Sequence, residues 1–200
     1  MPGLILIAGG AAQNTARGAA YLLPKESVAY FGSVGKDVYS EKLLLANSAA
    51  GVLTRYQFQE TIPTGKCAAL ITGKHRSLAT DLAAANHYTL EHLKQPENWK
   101  LVEEAKVFYV GGYHFTVCPA AINALGEHAA ATNKLFGVNM SAPFIPTAFK
   151  EAFESSSPYW DYLIANESEA AAYASVNGIK DDAETVAKHI ALLPKANTKR

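Results

Sequence analysis

Short apolar runs separated by amphipathic segments recur along the chain. The runs are four residues long and rich in branched or aromatic side chains, which predicts buried strands, and the segments between them have the periodicity and flanking glycine or proline of helices. Strands are predicted at residues 4–7, 28–31, 107–110, 135–138 and 162–165. Helices are predicted to end at Leu23 and to cover residues 39–50, 119–131, 146–153, 167–176 and about 182–193. This alternation indicates an α/β fold with a doubly wound parallel sheet and helices on both faces.

One region interrupts the alternation of strands and helices. Three short strands are predicted at residues 56–59, 67–72 and 77–82, with turn residues and no helix between them. This pattern favours a small antiparallel β flap, and such flaps typically cover a ligand and exclude water. A purely structural excursion from the sheet is the alternative. The predicted organisation is an α/β body at residues 1–52 and 89–200, with a small β lid at residues 53–88 inserted into it.

Composition and charge narrow the choice of partners and compartment. The chain has 18 basic and 18 acidic residues, so no net charge favours nucleic acid or a membrane surface as a partner. Cys67 and Cys118 form neither a disulfide framework nor a metal-binding spacing, which is typical of a reducing compartment. We therefore expect a cytoplasmic location, with the nucleus left open, and no nucleic-acid or membrane partner.

The first candidate site follows the predicted strand at residues 4–7. Gly9 and Gly10 allow the backbone to approach a ligand closely, and Asn14 adds an amide that both donates and accepts hydrogen bonds. A small polyol would fit such a site, whereas a tight turn into a helix is the structural alternative. No phosphate-loop motif, Gly-x-Gly-x-x-Gly sequence or Gly-x-Ser-x-Gly elbow occurs in the sequence.

Three motifs in a fixed order identify a family resemblance. Residues 9–14 (Gly-Gly-Ala-Ala-Gln-Asn), 32–37 (Gly-Ser-Val-Gly-Lys-Asp) and 166–169 (Asn-Glu-Ser-Glu) together resemble the ribokinase-like (PfkB) family of carbohydrate and nucleoside kinases. Within this family, residues 63–73, 76–78, 82–86 and 139–145 resemble the corresponding stretches of the adenosine kinases. The resemblance covers essentially the whole chain. It implies transfer of the γ-phosphoryl group of ATP to the 5′-hydroxyl of adenosine, with Mg²⁺ as cofactor.

The resemblance also implies roles for individual residues. Gly9, Gly10 and Asn14 would hold the ribose hydroxyls, although Asn14 could instead be a helix cap. Arg76 would stabilise charge on the transferring phosphoryl group, with an exposed charge of the flap as the alternative.

Residues on the flap and on the body would line the nucleoside pocket. They are Cys67, Leu78, Thr80, His114 and Phe144. Leu78 and Phe144 could instead be ordinary core residues. His114 stands where the family more commonly has phenylalanine, so an aromatic ring is retained there.

A polar group at the ends of two strands would organise Mg²⁺, phosphate and water. Asn166 and Glu169 are the main candidates, and Asn139 is a further phosphate-side candidate. The spacing of Asn166 and Glu169 also fits a helix capping box, and the two roles are compatible.

Two parts of the family pattern have no counterpart in this sequence. Members of the family begin with an additional strand, whose neighbouring aspartate holds the ribose, and they continue into an Asp-Thr-x-Gly-Ala-Gly-Asp motif that supplies the general base and the anion hole. The resemblance therefore predicts that the chain is a fragment with little kinase activity alone, and that the complete protein is a monomer. Another sugar kinase of the same family and a non-catalytic nucleoside-binding protein are the alternatives.

Overall fold

The computed structural model describes residues 5–197. The chain forms two compact units that divide between Tyr88 and Thr89. From residue 5 onward, the first unit contains two α-helices, α1 and α2, and four strands, β1 to β4. Their bounds are α1 Ala11–Leu22, β1 Val28–Gly35, α2 Val38–Ala49, β2 Val52–Gln59, β3 Lys66–Thr72 and β4 His75–Asp81, followed by a 3₁₀ turn at Ala83–His87.

The first unit is built on a parallel pair of strands. β1 and β2 run side by side from Val28 opposite Val52 to Gly35 opposite Gln59. Ala16 and Ala20 of α1 pack with Val52 to form a small buried cluster next to this pair. Branched and aromatic residues dominate both strands because such side chains pack well on a pleated surface covered by a helix.

Asp37 fixes the connection from β1 to α2. Its carboxylate accepts hydrogen bonds from the backbone N–H groups of Tyr39 and Ser40, each at 3.0 Å, and thereby caps α2. It also accepts bonds from the Thr64 N–H at 2.8 Å and from the Thr64 hydroxyl at 2.7 Å. Burial raises the pKa of Asp37, but the bonds from Thr64, Ser40 and Tyr39 outweigh this and hold the pKa below its usual value.

β3 and β4 form an antiparallel hairpin. The pairing runs from Lys66 opposite Asp81 to Thr72 opposite His75. Every residue of both strands is exposed, so the backbone ladder rather than a buried side-chain layer holds the hairpin together. The prediction of an antiparallel flap is confirmed for these two strands. Residues 56–59, predicted as its first strand, instead end β2 and pair in parallel with β1, because β2 already begins at Val52 and its parallel ladder with β1 continues through Gln59.

Up to residue 197, where the description ends, the second unit contains three strands and seven α-helices. Their bounds are α3 Leu90–Lys94, α4 Pro96–Glu104, β5 Val107–Gly111, α5 Pro119–Thr132, β6 Leu135–Asn139, α6 Phe144–Ala148, α7 Lys150–Ser155, β7 Tyr162–Ile164, α8 Glu167–Asn177 and α9 Ala183–Ala191, with 3₁₀ turns at Gly112–Thr116 and Ser157–Tyr159. The strands form a parallel sheet in the order β5-β6-β7. The α/β class is therefore confirmed, with the parallel strands of the described residues placed in two sheets.

The core of the second unit is formed by residues of β6, α7 and α8 and by Trp160, which precedes β7. Phe136, Val138 and Phe153 have no exposed surface, and Trp160 and Tyr173 are 2% exposed. Gly137 lies between two of these residues on β6, and a Cβ atom there would lie 1.9 Å from Cζ of Tyr162. A larger residue at this position would require the Tyr162 ring, which crosses the strand here, to move.

Several predicted elements differ from the observed ones. Residues 5–7 form no strand, and Leu4 lies outside the described residues. Ile5, Leu6 and Ile7 are 76%, 57% and 82% exposed, and a strand needs a neighbouring strand to take its backbone hydrogen bonds. The helix predicted at residues 146–153 is two helices, because Phe149 between α6 and α7 leaves the helical region at φ −119° and ψ 31°. α3 and α4 were not predicted.

Candidate functional site

The glycine pair and Asn14 lie where the chain enters α1. Gly10 is the N-cap of α1 with φ +101°, a conformation that favours glycine, and no side chain caps the helix. Its carbonyl accepts the backbone N–H of Asn14 at 2.8 Å. Asn14 is exposed in the second turn of the helix, so its predicted alternative role as a helix cap is wrong.

A cluster of buried polar side chains packs against the loop at Gly9 and Gly10. Asn47 on α2 is fully buried, and its Nδ2 donates to Thr54 Oγ1 at 3.1 Å and to Gln13 Oε1 at 3.3 Å. The Tyr56 hydroxyl also donates to Gln13 Oε1. Gln13 Nε2 in turn donates to the carbonyl of Gly9 at 3.0 Å. Buried amides linked in this way rigidify their surroundings, so the backbone at Gly9 is held by groups from α1, α2 and β2.

The four predicted residues of the hairpin share one face. Cys67 is paired with Thr80, Ala69 with Leu78, and Ile71 with Arg76. Paired residues of an antiparallel ladder point to the same side, and so do residues two apart on one strand. Cys67, Ala69, Ile71, Arg76, Leu78 and Thr80 therefore form one surface, which we call the Arg76 face.

The Arg76 face is apolar apart from a single charge. Ile71 is 75% exposed and Leu78 is 59% exposed, so the alternative that Leu78 belongs to the core is wrong. The Thr80 hydroxyl donates to Cys67 Sγ at 3.3 Å. Within residues 5–197, the Arg76 side chain has neither a hydrogen bond nor an ion pair, which leaves its guanidinium available for an anion.

His114 and Phe144 lie in neighbouring elements of the second unit. His114 is in the 3₁₀ turn Gly112–Thr116, which packs against α6, and Phe144 begins α6. Phe144 is 45% exposed and is therefore not a core residue. Its ring centroid lies 6.2 Å from that of Tyr113. Burial lowers the pKa of His114 to about 4, so the imidazole is neutral at physiological pH and can both donate and accept hydrogen bonds.

Asn139 ends β6 at the carboxyl edge of the sheet. Its Oδ1 accepts hydrogen bonds from the Ser141 N–H at 2.8 Å and from the Ser141 hydroxyl at 3.1 Å. Ser141 has φ +69° and its hydroxyl oxygen accepts the N–H of Gly112 at 2.8 Å. Asn139 is paired with Ile164 of β7, two residues before Asn166. The structure thus brings Asn139 and Asn166 to the same edge, where ligands of α/β sheets bind.

Asn166 and Glu169 form the predicted capping box of α8. Asn166 Oδ1 accepts the Glu169 N–H at 2.9 Å, while Glu169 Oε2 accepts the Asn166 N–H at 3.1 Å. Asn166 Nδ2 donates to Glu169 Oε1 at 3.0 Å, so both oxygens of this 5%-exposed carboxylate are engaged. Each oxygen keeps a second lone pair. This donor set fits hydrogen bonds from the water ligands of Mg²⁺ better than direct coordination, since Mg²⁺ keeps several waters.

Neither a metal cluster nor a membrane span stands out in the part of the chain that the structure describes. Residues 5–197 contain no group of three or more histidine, cysteine, aspartate or glutamate side chains placed to hold a metal ion. None of the helices among these residues is long and apolar enough to cross a membrane.

Comparison with known proteins decides the family. A model of the pfkB family of carbohydrate kinases matches residues 4–200. The chain belongs to the pfkB family. This match includes the glycine pair, the hairpin and the capping box, so the family resemblance predicted from three short motifs is confirmed.

Individual members of the pfkB family are similar over nearly the whole chain. The adenosine kinase of Saccharomyces cerevisiae is 55% identical over 193 residues, which are 95% of this chain and 56% of that protein. The crystal structure of Anopheles gambiae adenosine kinase with P1,P4-di(adenosine-5) tetraphosphate has a TM-score of 0.93 and 43% identity, covering 97% of this chain and 57% of that one. A Schistosoma mansoni adenosine kinase with adenosine, in an occluded loop conformation, has a TM-score of 0.95 and 34% identity, covering 100% of this chain and 59% of that one. This pfkB member therefore spans a little more than half the length of these relatives.

The buried polar cluster is the part of the site that the sequence did not reveal. The sequence pattern does not mark Gln13, Asn47 or Tyr56 as site residues, although Gln13 lies inside the first pfkB motif. Gln13 and Asn47 are 3% and 0% exposed, and each is an amide on the buried side of a helix. An amide at a position where the helical period predicts an apolar residue is the signal that could have pointed to them.

Proposed function

We propose that this chain carries the nucleoside-binding part of an adenosine kinase, the enzyme that phosphorylates the 5′-hydroxyl of adenosine with ATP. The 55% identity to the S. cerevisiae adenosine kinase carries this proposal. The chemistry of the Arg76 face supports it, because an apolar surface with one unpaired guanidinium suits a nucleoside next to a phosphoryl group.

The reaction itself is an in-line transfer. The 5′-oxygen of adenosine forms a bond to the γ-phosphorus of ATP while the bond between that phosphorus and the β,γ-bridging oxygen breaks, so AMP and ADP result. The proton of the 5′-hydroxyl leaves to a general base, and none of the residues assigned below is that base. Mg²⁺, when bound with ATP, neutralises charge on the phosphates.

In the first unit, the assigned residues hold the ribose and the transferring group. Gly9, Gly10 and Asn14 hold the ribose hydroxyls, because an open backbone and an exposed amide lie together at the start of α1. Cys67, Leu78 and Thr80 cover the nucleoside from the hairpin. The Arg76 guanidinium stabilises negative charge that develops on the equatorial oxygens of the γ-phosphoryl group.

In the second unit, the assigned residues bind the base and the phosphate side. The neutral imidazole of His114 and the half-exposed ring of Phe144 contact the purine. Asn139, Asn166 and Glu169 hydrogen-bond phosphate and the waters of Mg²⁺ from the carboxyl edge of the sheet. We further infer a cytoplasmic enzyme, which the two free cysteines support, and a monomer.

A chimera tests this proposal. This chain replaces the matched segment of 193 residues in the S. cerevisiae relative, and the purified chimera is supplied with Mg²⁺, ATP and either adenosine, ribose or fructose. We expect ATP-dependent formation of AMP from adenosine and no phosphorylation of the free sugars. The unchanged S. cerevisiae enzyme is the control for the assay, and a cooperative thermal melt shows that the chimera is folded.

The same assay separates the alternatives. Phosphorylation of a free sugar alone would identify a sugar kinase of the pfkB family instead. A folded chimera that binds adenosine without forming AMP would identify a non-catalytic nucleoside-binding protein. Either result would contradict the proposed function.

A further inference from the structure

Arg17 lies one helical turn beyond Asn14 on α1 and contacts three separate parts of the first unit. Its Nη2 donates to the carbonyl of Ala8 at 2.8 Å and to Asn14 Oδ1 at 2.5 Å. Its Nη1 donates to Asn47 Oδ1 at 3.3 Å. The guanidinium thus joins the glycine loop, the exposed amide of Asn14 and the buried cluster under them.

The contact with Arg17 determines which end of the Asn14 amide faces outward. A guanidinium has only N–H donors, so the atom of Asn14 that faces it must be the oxygen. The reverse orientation would place two donors against each other. Asn14 Nδ2 therefore remains as the group that can donate to a ligand.

The buried side of Arg17 is anchored by groups with fixed hydrogen-bonding roles. Asn47 is fully buried, and its Nδ2 is directed to Gln13 and Thr54, which leaves its Oδ1 to accept from Arg17. Burial raises the pKa of Tyr56, so its hydroxyl keeps its proton and donates to Gln13. Because each of these groups can act only as donor or only as acceptor in its contact, the hydrogen bonds hold the Arg17 guanidinium in one position.

We propose that Arg17 is a positioning residue that orients Asn14 so that Nδ2 donates a hydrogen bond to a ribose hydroxyl oxygen. This inference rests on the proposed function. Through Asn14, Arg17 would make the site selective for adenosine over the deoxyadenosine that lacks the contacted hydroxyl. Binding of that deoxyadenosine would leave the Asn14 Nδ2 donor without an acceptor, which lowers its affinity.

Four variants of the chimera test the inference. Arg17→Met removes all three contacts, Arg17→Lys keeps a charged donor for Asn14, and Asn14→Asp keeps an acceptor for Arg17 but removes the Nδ2 donor. Lys42→Met is the matched control, because it removes one exposed positive charge of α2. The values of kcat and KM are measured for adenosine, 2′-deoxyadenosine and 3′-deoxyadenosine, together with the melting temperature of each variant.

The variants should differ in their selectivity for adenosine over the deoxyadenosines. We expect Arg17→Met and Asn14→Asp to raise the KM for adenosine about tenfold, the effect of losing one good hydrogen bond. Both should leave the KM of one deoxyadenosine nearly unchanged. Arg17→Lys should restore most of the selectivity, and Lys42→Met should behave like the parent chimera.

Two results would overturn the inference, and a third would affect the proposed function as well. An equal loss of kcat/KM for adenosine and both deoxy analogues in Arg17→Met would show a purely structural role. If Arg17→Met does not fold, full selectivity in Asn14→Asp would overturn the inference by itself. A folded chimera with Arg17 intact that does not phosphorylate adenosine would refute the proposed function and this inference together.

Discussion

The β3–β4 hairpin and the β5-β6-β7 sheet show two different uses of apolar side chains. In the sheet, Phe136 and Val138 are fully buried and support the fold. In the hairpin, Ile71 and Leu78 are 75% and 59% exposed, and no residue of either strand is buried. A surface that is apolar and carries one unpaired guanidinium contributes little to stability by itself. The contrast shows that packing accounts for the sheet residues but not for the hairpin residues, and the proposed nucleoside contact would account for the latter.

The largest difference between the two regions should be in the cost of truncating a side chain. We expect Phe136→Ala to lower the free energy of unfolding by about 3–5 kcal/mol, because it removes a fully buried ring and leaves a cavity. Leu78→Ala should change it by less than about 0.5 kcal/mol, because the side chain is exposed. Urea denaturation of the chain measures both values. Similar costs at the two positions would contradict the comparison.

Activity should show the opposite contrast, because a substitution on the hairpin, Arg76→Ala, should lower activity strongly without lowering stability. We expect kcat of the chimera for adenosine to fall about 10²–10³-fold, the loss found when a group that stabilises transition-state charge is removed. The free energy of unfolding should not change, because the Arg76 guanidinium makes no hydrogen bond or ion pair with the described residues and the backbone pairing with Ile71 is kept. Lys74→Ala, in the turn of the same hairpin, is the control and should retain activity. An Arg76→Ala enzyme with full kcat would remove Arg76 from the mechanism.

As the pH is lowered, protonation of His114 in the second unit should reduce the free energy of unfolding. The pKa of His114 is lowered by burial to about 4 from an unfolded value of 6.5, so the unfolded chain binds a proton in this range that the folded chain does not. Stability therefore falls as the pH is lowered from 6.5 to about 4, by up to about 1.4 kcal/mol per pH unit. His114→Phe should abolish this part of the pH dependence in urea denaturation. An unchanged slope would show that His114 is accessible to protons in the folded state.

The smallest expected effect lies in the first unit, at Asp37. Its folded pKa is below the ordinary value of 3.8, so its contribution to stability is present above that value and is lost as the pH falls through the folded pKa. Asp37→Asn cannot accept both bonds from Thr64, so it should be less stable than the parent at pH 7. The difference between the two proteins should shrink as the pH is lowered from 5 toward 2. A difference independent of pH would mean that the charge of Asp37 contributes nothing.

Much of the fold was predictable because burial leaves a pattern in the sequence. The runs at residues 107–110 and 135–138 became β5 and β6 since both faces of a parallel strand are covered, and the Asn166-x-x-Glu169 spacing predicted the capping box. The missed helices α3 and α4 are only five and nine residues long, which gives too few turns for a clear helical period. At residues 5–7 the opposite error occurs, because an apolar run predicts a strand that the structure does not contain. A strand also needs a neighbouring strand to pair with, and a local pattern does not show whether one is present.

The candidate site was predictable only in part. The family motifs pointed to Asn14 and the hairpin residues, and pairing in the ladder explains why Cys67, Leu78 and Thr80 share a face with Arg76. The contact of Arg17 with Asn47 joins residues 30 positions apart, and that of Tyr56 with Gln13 joins residues 43 positions apart. No local spacing encodes such pairs, so they became visible only in the folded chain.

The most direct test of the central claim is the rate at which a thiol reagent alkylates Cys67 in the chimera, followed by peptide mass spectrometry. Cys67 is exposed on the Arg76 face, whereas Cys118 at the start of α5 lies off the hairpin and is the internal control. The account predicts that adenosine slows the alkylation of Cys67, that ribose does not, and that Cys118 reacts at the same rate throughout. Equal alkylation of Cys67 with and without saturating adenosine, in a chimera that forms AMP, would contradict the claim that this face covers the nucleoside.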